Sequence, residues 1–383
     1  MILMLSAAHP PDDIRIVRKE AAALAEAGWA VRHLAPGPAD APDRIAGVAI
    51  ETYRRPPGWR GRLLNLPRLA RRAASSGARI LHASEPDAWL AAIWAAKLSP
   101  WGSGARVVLD VHEHYPSRLD SRLPRPLRPL ARFLLRLACR LAARAADAVV
   151  VAKDGLAEDF AAPRRTIAVR NYALPVSLAP REHRHGPLTL VHAGAMTRSR
   201  GWPQLLAALA LLPPDTRLRL IGRFTDGSEA AFLAEAARLG LGHRVERIGW
   251  RPHAEALALM AEADIALVLF QPGETNHRLA LPHKLFDAML AGLPVIAPAF
   301  ATEVAGILRE AGCGRLVATA DPLAIAEAVR DLGCPVRRAR LGAAGRLAAS
   351  TRYAWPAEAA RLVALYRRLA PPSADSQAAP RVL

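Results

Sequence analysis

The chain is poor in anything that would tie it together covalently. Its three cysteines, Cys139, Cys313 and Cys334, stand far apart with no CxxC pair among 383 residues. That excludes a disulfide framework and a thiolate zinc site, and it fits a reducing compartment. There is no Asp-x-Asp motif, and no second His/Cys cluster accompanies 112-HEH-114. Adjacent residues at a strand end point to opposite faces, so we expect no metal centre. Nowhere are there the ~18–20 uninterrupted apolar residues of a membrane-spanning helix. The opening 1-MILMLSAAHPPDD-13 has no basic segment ahead of its short apolar part, so a signal peptide is not expected either. These absences together predict a cytoplasmic protein.

Acidic residues are also scarce, 34 against 52 lysines and arginines, leaving a formal charge of +18. The deficit is local. No carboxylate lies between Glu51 and Glu85, a stretch that carries Arg54, Arg55, Arg60, Arg62, Arg68, Arg71, Arg72 and Arg79. None lies between Asp120 and Asp147, where Arg128, Arg132, Arg136, Arg140 and Arg144 recur every four residues behind Arg122 and Arg125. On a helix these form a drifting stripe beside Leu130, Phe133, Leu134, Leu137 and Leu141. Two readings stand level: a solvated face, or docking on an anionic membrane surface through Arg54–Arg72 and Arg122–Arg144. Nucleic acid is not expected, because no aromatic residues interleave with the arginines.

What the chain does have is apolar residues, 52% against 22% charged, in a pattern that suits two globular domains. Strand-like runs at Met1–Ala7, Ala30–Ala35, Val48–Tyr53, Ala78–His82, Val107–Val111, Ala148–Ala152 and Thr166–Arg170 alternate with helical stretches. A polar, proline-bearing linker follows at 173–186. The alternation then restarts with strands at Leu188–His192, Arg217–Ile221, Val245–Ile248, Ile265–Leu269 and Pro294–Ala297. The expectation is α/β, two doubly wound Rossmann-like domains, 1–172 and 187–350, facing across a cleft. A closing helix, Pro356–Leu369, precedes a tail, 371–383, of disordered composition.

Polar residues cluster where strands end. The exits read 112-HEHYP-116, 193-AGAMTRSRGW-202, 222-GRFTDG-227, 249-GWRPH-253 and 271-QPGETNHRLALPHK-284. Glycine lets backbone approach an anion closely, and a helix start offers unpaired N–H groups. Gly194 and Gly201 bracket Arg198 and Arg200 ahead of a helix. His283, Lys284 and Asp287 interrupt an otherwise apolar helix that opens after Pro282. The spacing suits a diphosphate at Arg200 and Lys284 and a ribose diol on Asp287. An ordinary i,i+3 ion pair between Lys284 and Asp287 is the competing reading. His33, His82 and His192 lie in strand patterns and read as satisfied core or edge residues.

Three segments resemble glycosyltransferase family 4, the retaining, metal-independent sugar-nucleotide enzymes of the GT-B fold. They are 110-DVHEHYP-116, 192-HAGAMTRSRGWPQLLAAL-209 and 281-LPHKLFDAMLAGLPVIAP-298. The resemblance implies that Arg200 and Lys284 bind the donor's diphosphate and that Asp287 holds its ribose. It implies that His112 lies near the donor sugar's anomeric centre, that Gly222, Arg223, Gly249 and Trp250 line the nucleobase pocket, and that the closing helix crosses back to the first domain. Glu113 is the candidate for acceptor binding. The sequence departs from the family at Leu279, where a glutamate eight residues before Asp287 is usual and Glu274 is a possible substitute. It departs again at Ala195, where a basic residue is common and Arg198 is a possible substitute, and at 9-HPPDDIR-15, which lacks a Gly-Gly pair. The implied reaction moves a hexose-type sugar from a nucleoside diphosphate to a saccharide or lipid-linked acceptor, without metal or cofactor. A sugar-nucleotide epimerase and a non-catalytic nucleotide- or membrane-binding scaffold are the alternatives.

Overall fold

The apolar runs of the first half become strands buried on both faces of one parallel sheet. A computed structural model describes residues 1–55, 58–98, 103–120, 122–179 and 181–371, so all of the tail except Pro371 lies outside it. The chain divides into two compact units, Met1–Asn171 with the helix Trp355–Leu369, and Tyr172–Ala354.

Among the described residues, the first unit's strands are β1 (Ile2–Leu5), β2 (Val31–Pro36), β3 (Arg44–Ile45), β4 (Val48–Tyr53), β5 (Ile80–Ala83), β6 (Arg106–Val111), β7 (Ala148–Val151) and β8 (Thr166–Ala168). They lie in the order β3-β4-β2-β1-β5-β6-β7-β8 and pair in parallel, apart from the antiparallel edge pair β3–β4. The helices are α1 (Ala22–Glu26), α2 (Gly58–Ala74), α3 (Pro86–Ile93) and α4 (Arg128–Ala145). The helical stretch after β1 begins as a wider π-helical turn, Ile14–Ala21, capped by Asp13, whose side chain accepts from Ile16 N at 3.0 Å. The sheet runs on from β4 through β5 and β6 to β7 in one direction. Right-handed crossovers therefore lay α2, α3 and α4 on one face.

In the second unit β9 (Thr189–Ala193), α5 (Trp202–Ala210), β10 (Arg217–Ile221), α6 (Glu229–Arg238), β11 (Val245–Gly249), α7 (His253–Ala261) and β12 (Ile265–Leu267) lead to α8 (Thr275–Arg278) and α9 (His283–Leu290). Then come β13 (Val295–Pro298), α10 (Thr302–Ala311), β14 (Gly314–Val317), α11 (Pro322–Asp331) and α12 (Pro335–Ser350); α13 (Trp355–Leu369) belongs to the first unit. The order β11-β10-β9-β12-β13-β14 is all parallel, the doubly wound arrangement whose direction reverses between β9 and β12. Strand periodicity sorts the core. Ile265, Leu267, Leu269 and Ile296 pack with α5, α6 and α11, while Ala266, Val268, Val295 and Ala297 pack with α7, α9 and α10.

One sequence expectation needs correction, and one strand was not anticipated. The described residues of 173–186 belong to the second unit and do not stand apart as a linker. Ala173 N donates to Tyr353 O at 2.8 Å, Arg181 N to Ala291 O at 3.1 Å, and His183 Nε2 meets Gly292 O at 3.0 Å. Backbone without a ladder of its own is satisfied along the second unit. Strand β14 went unread because it is short and opens on Gly314, where any Cβ would meet Val295 O at 2.0 Å.

Candidate functional site

Three strand ends of the second unit are stitched together by glycine. Gly194 N donates to Ile221 O and Gly222 N to Gly249 O, both at 2.8 Å, and Met196 N reaches Arg223 O at 2.9 Å. Gly194, Gly222 and Gly249 have φ of +92°, +140° and +76°. At Gly222 the constraint is also steric, since a Cβ there would fall 2.1 Å from Gly194 O. Gly201 ends the turn that follows β9, with φ +86°, and its Cβ would strike Leu269 O at 2.4 Å. Thr197 fastens the same turn by accepting from Arg200 N at 3.1 Å, and Gln271 N donates to Ser199 O at 2.9 Å. Loops from β9 and β12 thus meet where the strand order reverses, the usual ligand position in such sheets.

Onto this glycine surface the structure brings Arg200 and Lys284. A Cβ on Gly194 would lie 3.6 Å from Lys284 Cε, so the lysine stem runs against exposed backbone. Lys284 Nζ donates to His192 Nε2 at 2.9 Å, and Arg200 Nη1 donates to Ala195 O at 3.0 Å with its guanidinium 6.0 Å from the Phe270 ring centroid. Burial, then the charge of Arg200, pulls the Lys284 ammonium well below an ordinary lysine. Burial and then Lys284 hold His192 well below its ordinary value, so it is the neutral imidazole that accepts. Two basic side chains and a neutral histidine therefore converge on glycine backbone.

The remaining predicted residues are distributed around this centre. Asp287, half-buried one turn into α9, receives His253 Nε2 from α7 at 3.0 Å. Its partner is thus His253 rather than Lys284, which removes the i,i+3 ion-pair reading. His283 opens α9 beside Lys284. Arg223 lies over the half-exposed Trp250, 5.7 Å from the ring centroid. Arg198 is turned to the start of α5, 4.7 Å from the Trp202 ring centroid, while its N–H donates to Asp226 at 2.7 Å. Glu274 faces His277 at 3.5 Å, and Leu279 is buried.

In the first unit, His112 Nε2 is hydrogen-bonded to Asp110 Oδ2. Asp110 is fully buried and also meets Arg15 at 2.9 Å and His82 at 3.6 Å. Burial alone would raise this carboxyl, but Arg15, then His112 and His82, hold it well below the usual carboxylate range. Glu20 completes the cluster, 2.7 Å from Arg15 and 3.2 Å from His82. Atoms of Glu20, His82 and Asp110 lie within 4.8 Å of one another, the spacing of a metal centre. Arg15 and a protonated His82 already balance the two carboxylates, so the donor set does not suit a cation. His114 turns away to Ser117 at 2.8 Å and Asp159 at 3.1 Å, and Glu113 pairs with Arg118 at the surface.

Several participants escaped sequence reasoning. His192 read as a core histidine and His253 as the end of the 249-GWRPH-253 strand exit; neither carries a local signal for the lysine or aspartate it meets. Glu85 is a third case. It is buried and its carboxylate accepts from Ala7 N, Ala8 N and His9 N at 2.8–2.9 Å, fixing the loop in which a Gly-Gly pair was missed.

Two family models match. A "glycosyl transferase 4-like domain" covers residues 14–175 and "glycosyl transferases group 1" covers 187–333. The chain is 32% identical over 238 residues to an exopolysaccharide phosphotransferase of Streptomyces coelicolor, a match over 60% of this chain and 23% of that protein. The chain therefore spans about a quarter of that relative's length. Its fold resembles a sucrose-phosphate synthase from Thermosynechococcus elongatus, with TM-score 0.75, 22% identity, and 96% of this chain and 98% of that one covered. It also resembles HepE of Anabaena in complex with UDP, with TM-score 0.69, 16% identity and coverage of 96% and 99%.

Proposed function

The chain belongs to the glycosyltransferases in which a 4-like domain precedes a group 1 domain on a GT-B fold, and from that premise we propose the donor, the chemistry and the acceptor. The donor is a nucleoside-diphosphate hexose, UDP- or GDP-linked, held by the second unit. The observation that carries this is the convergence of Arg200 and Lys284 on the Gly194 turn, with neutral His192 as the lysine's partner. A half-buried cation beside another cation costs stability unless an anion occupies the site. A diphosphate supplies that anion, and its oxygens accept from the amides that open α9. Asp287 takes the ribose diol, and its orientation is set by His253. Gly222, Arg223, Gly249 and Trp250 take the base, while His283 and Gly201 shape the phosphate turn. UDP in the fold neighbour from Anabaena agrees with this class of donor.

Transfer proceeds with retention and without metal. As the bond to the anomeric carbon breaks, negative charge grows on the departing diphosphate. Arg200 and Lys284 stabilise it more strongly than in the ground state, the largest kind of catalytic term. The leaving phosphate oxygen takes the acceptor proton, so no dedicated base is required. His112 is proposed as the residue at the sugar, from the resemblance alone; Asp110 holds its imidazole. Glu113 is proposed at the acceptor, a saccharide or lipid-linked molecule of cell-surface polysaccharide synthesis. The place of work is the cytoplasmic face of the membrane.

The test is calorimetric binding of UDP, GDP, ADP and their common sugar conjugates to wild type and Asp287→Ala, with and without Mg²⁺. One nucleotide bound equally with and without the metal, and lost in the variant, is the expected result. No binding, or binding only with Mg²⁺, would overturn the reading.

A further inference from the structure

Helix α4 is packed with its apolar stripe outward. Leu130, Leu134, Leu137 and Leu141, spaced 4, 3 and 4, lie on one face and are 59%, 53%, 42% and 52% exposed, with Phe133 beside them at 61%. The residues it buries are small, Cys139 and Ala143. The arginines of the sequence stripe lie beside the leucines. Arg132 and Arg136 stay partly exposed while tied to Asp120 and Asp159, at 2.5 Å and 2.8 Å. The neighbouring helices of the same layer, α2 against α3 and α3 against α4, add exposed Leu63, Leu64 and Leu90. The π-helical turn Trp94–Leu98 after α3 adds Trp94 and Leu98. Soluble surfaces rarely gather so many large apolar side chains on adjoining elements.

Charge decides what covers this face. Exposed Arg122, Arg125, Arg140 and Arg144 rim α4, and exposed Arg68 and Arg71 rim α2, in two stretches that contain no acidic residue. A second copy seated on the face by a two-fold axis would bring arginine against arginine. A bilayer of anionic phospholipid satisfies both parts, with acyl chains for the leucines and headgroup phosphates for the guanidinium groups. No described helix is long and apolar enough to cross a membrane, so the contact lies in the surface plane. We infer that α4, with the adjoining exposed parts of α2 and the Trp94–Leu98 turn, seats the protein in the interfacial layer of an anionic bilayer. The inference rests on α4's orientation and stands apart from the donor assignment.

The test is co-sedimentation with vesicles of phosphatidylglycerol in phosphatidylcholine, and of phosphatidylcholine alone, at low and physiological salt. Wild type is expected to bind the anionic vesicles, more tightly at low salt. Leu134→Gln with Leu137→Gln should weaken binding on the order of 100-fold, roughly tenfold for each leucine withdrawn from the lipid. Arg140→Glu with Arg144→Glu should weaken it on anionic vesicles only. All four side chains are exposed, so both variants should melt with wild type and bind nucleotide like it, which separates this result from the donor site. Equal binding of the leucine variant, equal binding to neutral vesicles, or a wild-type dimer that the leucine variant dissolves would each overturn the inference.

Discussion

Lys284→Met separates stability from function at one side chain. Methionine keeps the length and most of the volume of lysine while removing the charge. In the free protein that charge is half-buried and repelled by Arg200, which is why burial and Arg200 together lower its pKa. Replacing buried ionic groups with apolar isosteres is commonly neutral or stabilising by about 1–4 kcal/mol. Against this stands the hydrogen bond to His192 Nε2 at 2.9 Å, whose loss leaves a buried acceptor unsatisfied at about 1–3 kcal/mol. The balance is a net change of roughly −3 to +3 kcal/mol, a melting shift within about 12 °C either way for a unit of this size. Diphosphate affinity should move in one direction only. A charge-assisted hydrogen bond contributes about 1.5–3 kcal/mol, so binding should fall roughly 10- to 150-fold.

The assay is thermal melting without ligand beside calorimetric titration with the nucleotide that wild type binds. The pH dependence adds a check with a definite sign. A lysine whose folded pKa is depressed costs stability below its unfolded value, and the cost shrinks as pH rises from the folded pKa toward about 10.4. The stability of Lys284→Met relative to wild type should therefore decline as pH is raised. A variant that melts more than about 12 °C below wild type, beyond the range just derived, would make Lys284 a structural pair. Unchanged affinity would remove it from the diphosphate site.

Two further outcomes follow from the same geometry. Gly222→Ala places a Cβ 2.1 Å from Gly194 O at φ +140°, and should cost roughly 2–5 kcal/mol by urea unfolding; Gly249→Ala, with open space at φ +76°, should cost only about 1–2, and equal losses would refute the steric argument. His82 is raised to about 9: burial opposes its charge, but the nearby carboxylates of Asp110 and Glu20 prevail. Its contribution is full below about pH 6.5 and is lost as pH climbs through 9, so the stability gap between wild type and His82→Gln should close between pH 6.5 and 10. A constant gap would mean the imidazole is neutral throughout.

The fold was legible because each strand is a short apolar run between helices and the strand exits carry glycine and proline. The centre of the proposed donor site stood out for a related reason. Lys284 and Asp287 are polar intrusions in a helix otherwise made of Leu, Phe, Ala and Met, and such intrusions are expensive unless used. What stayed hidden is pairing across long sequence distance. His192 meets Lys284 92 residues away, and Asp110 meets Arg15 across 95. Neither partner is marked locally. The orientation of α4 was hidden differently. Its heptad-like leucines and its four-residue arginine repeat both have helical periods, so either stripe could have faced the sheet by periodicity alone. The choice is made by packing distance. Cys139 and Ala143 are the residues that the helix buries, and it packs beside α3; small side chains there allow a close approach that leucines would prevent. Asp120 and Asp159, outside the helix, then hold Arg132 and Arg136 at its flank. The apolar stripe is left outward because small residues, not leucines, occupy the side that the sheet can accept.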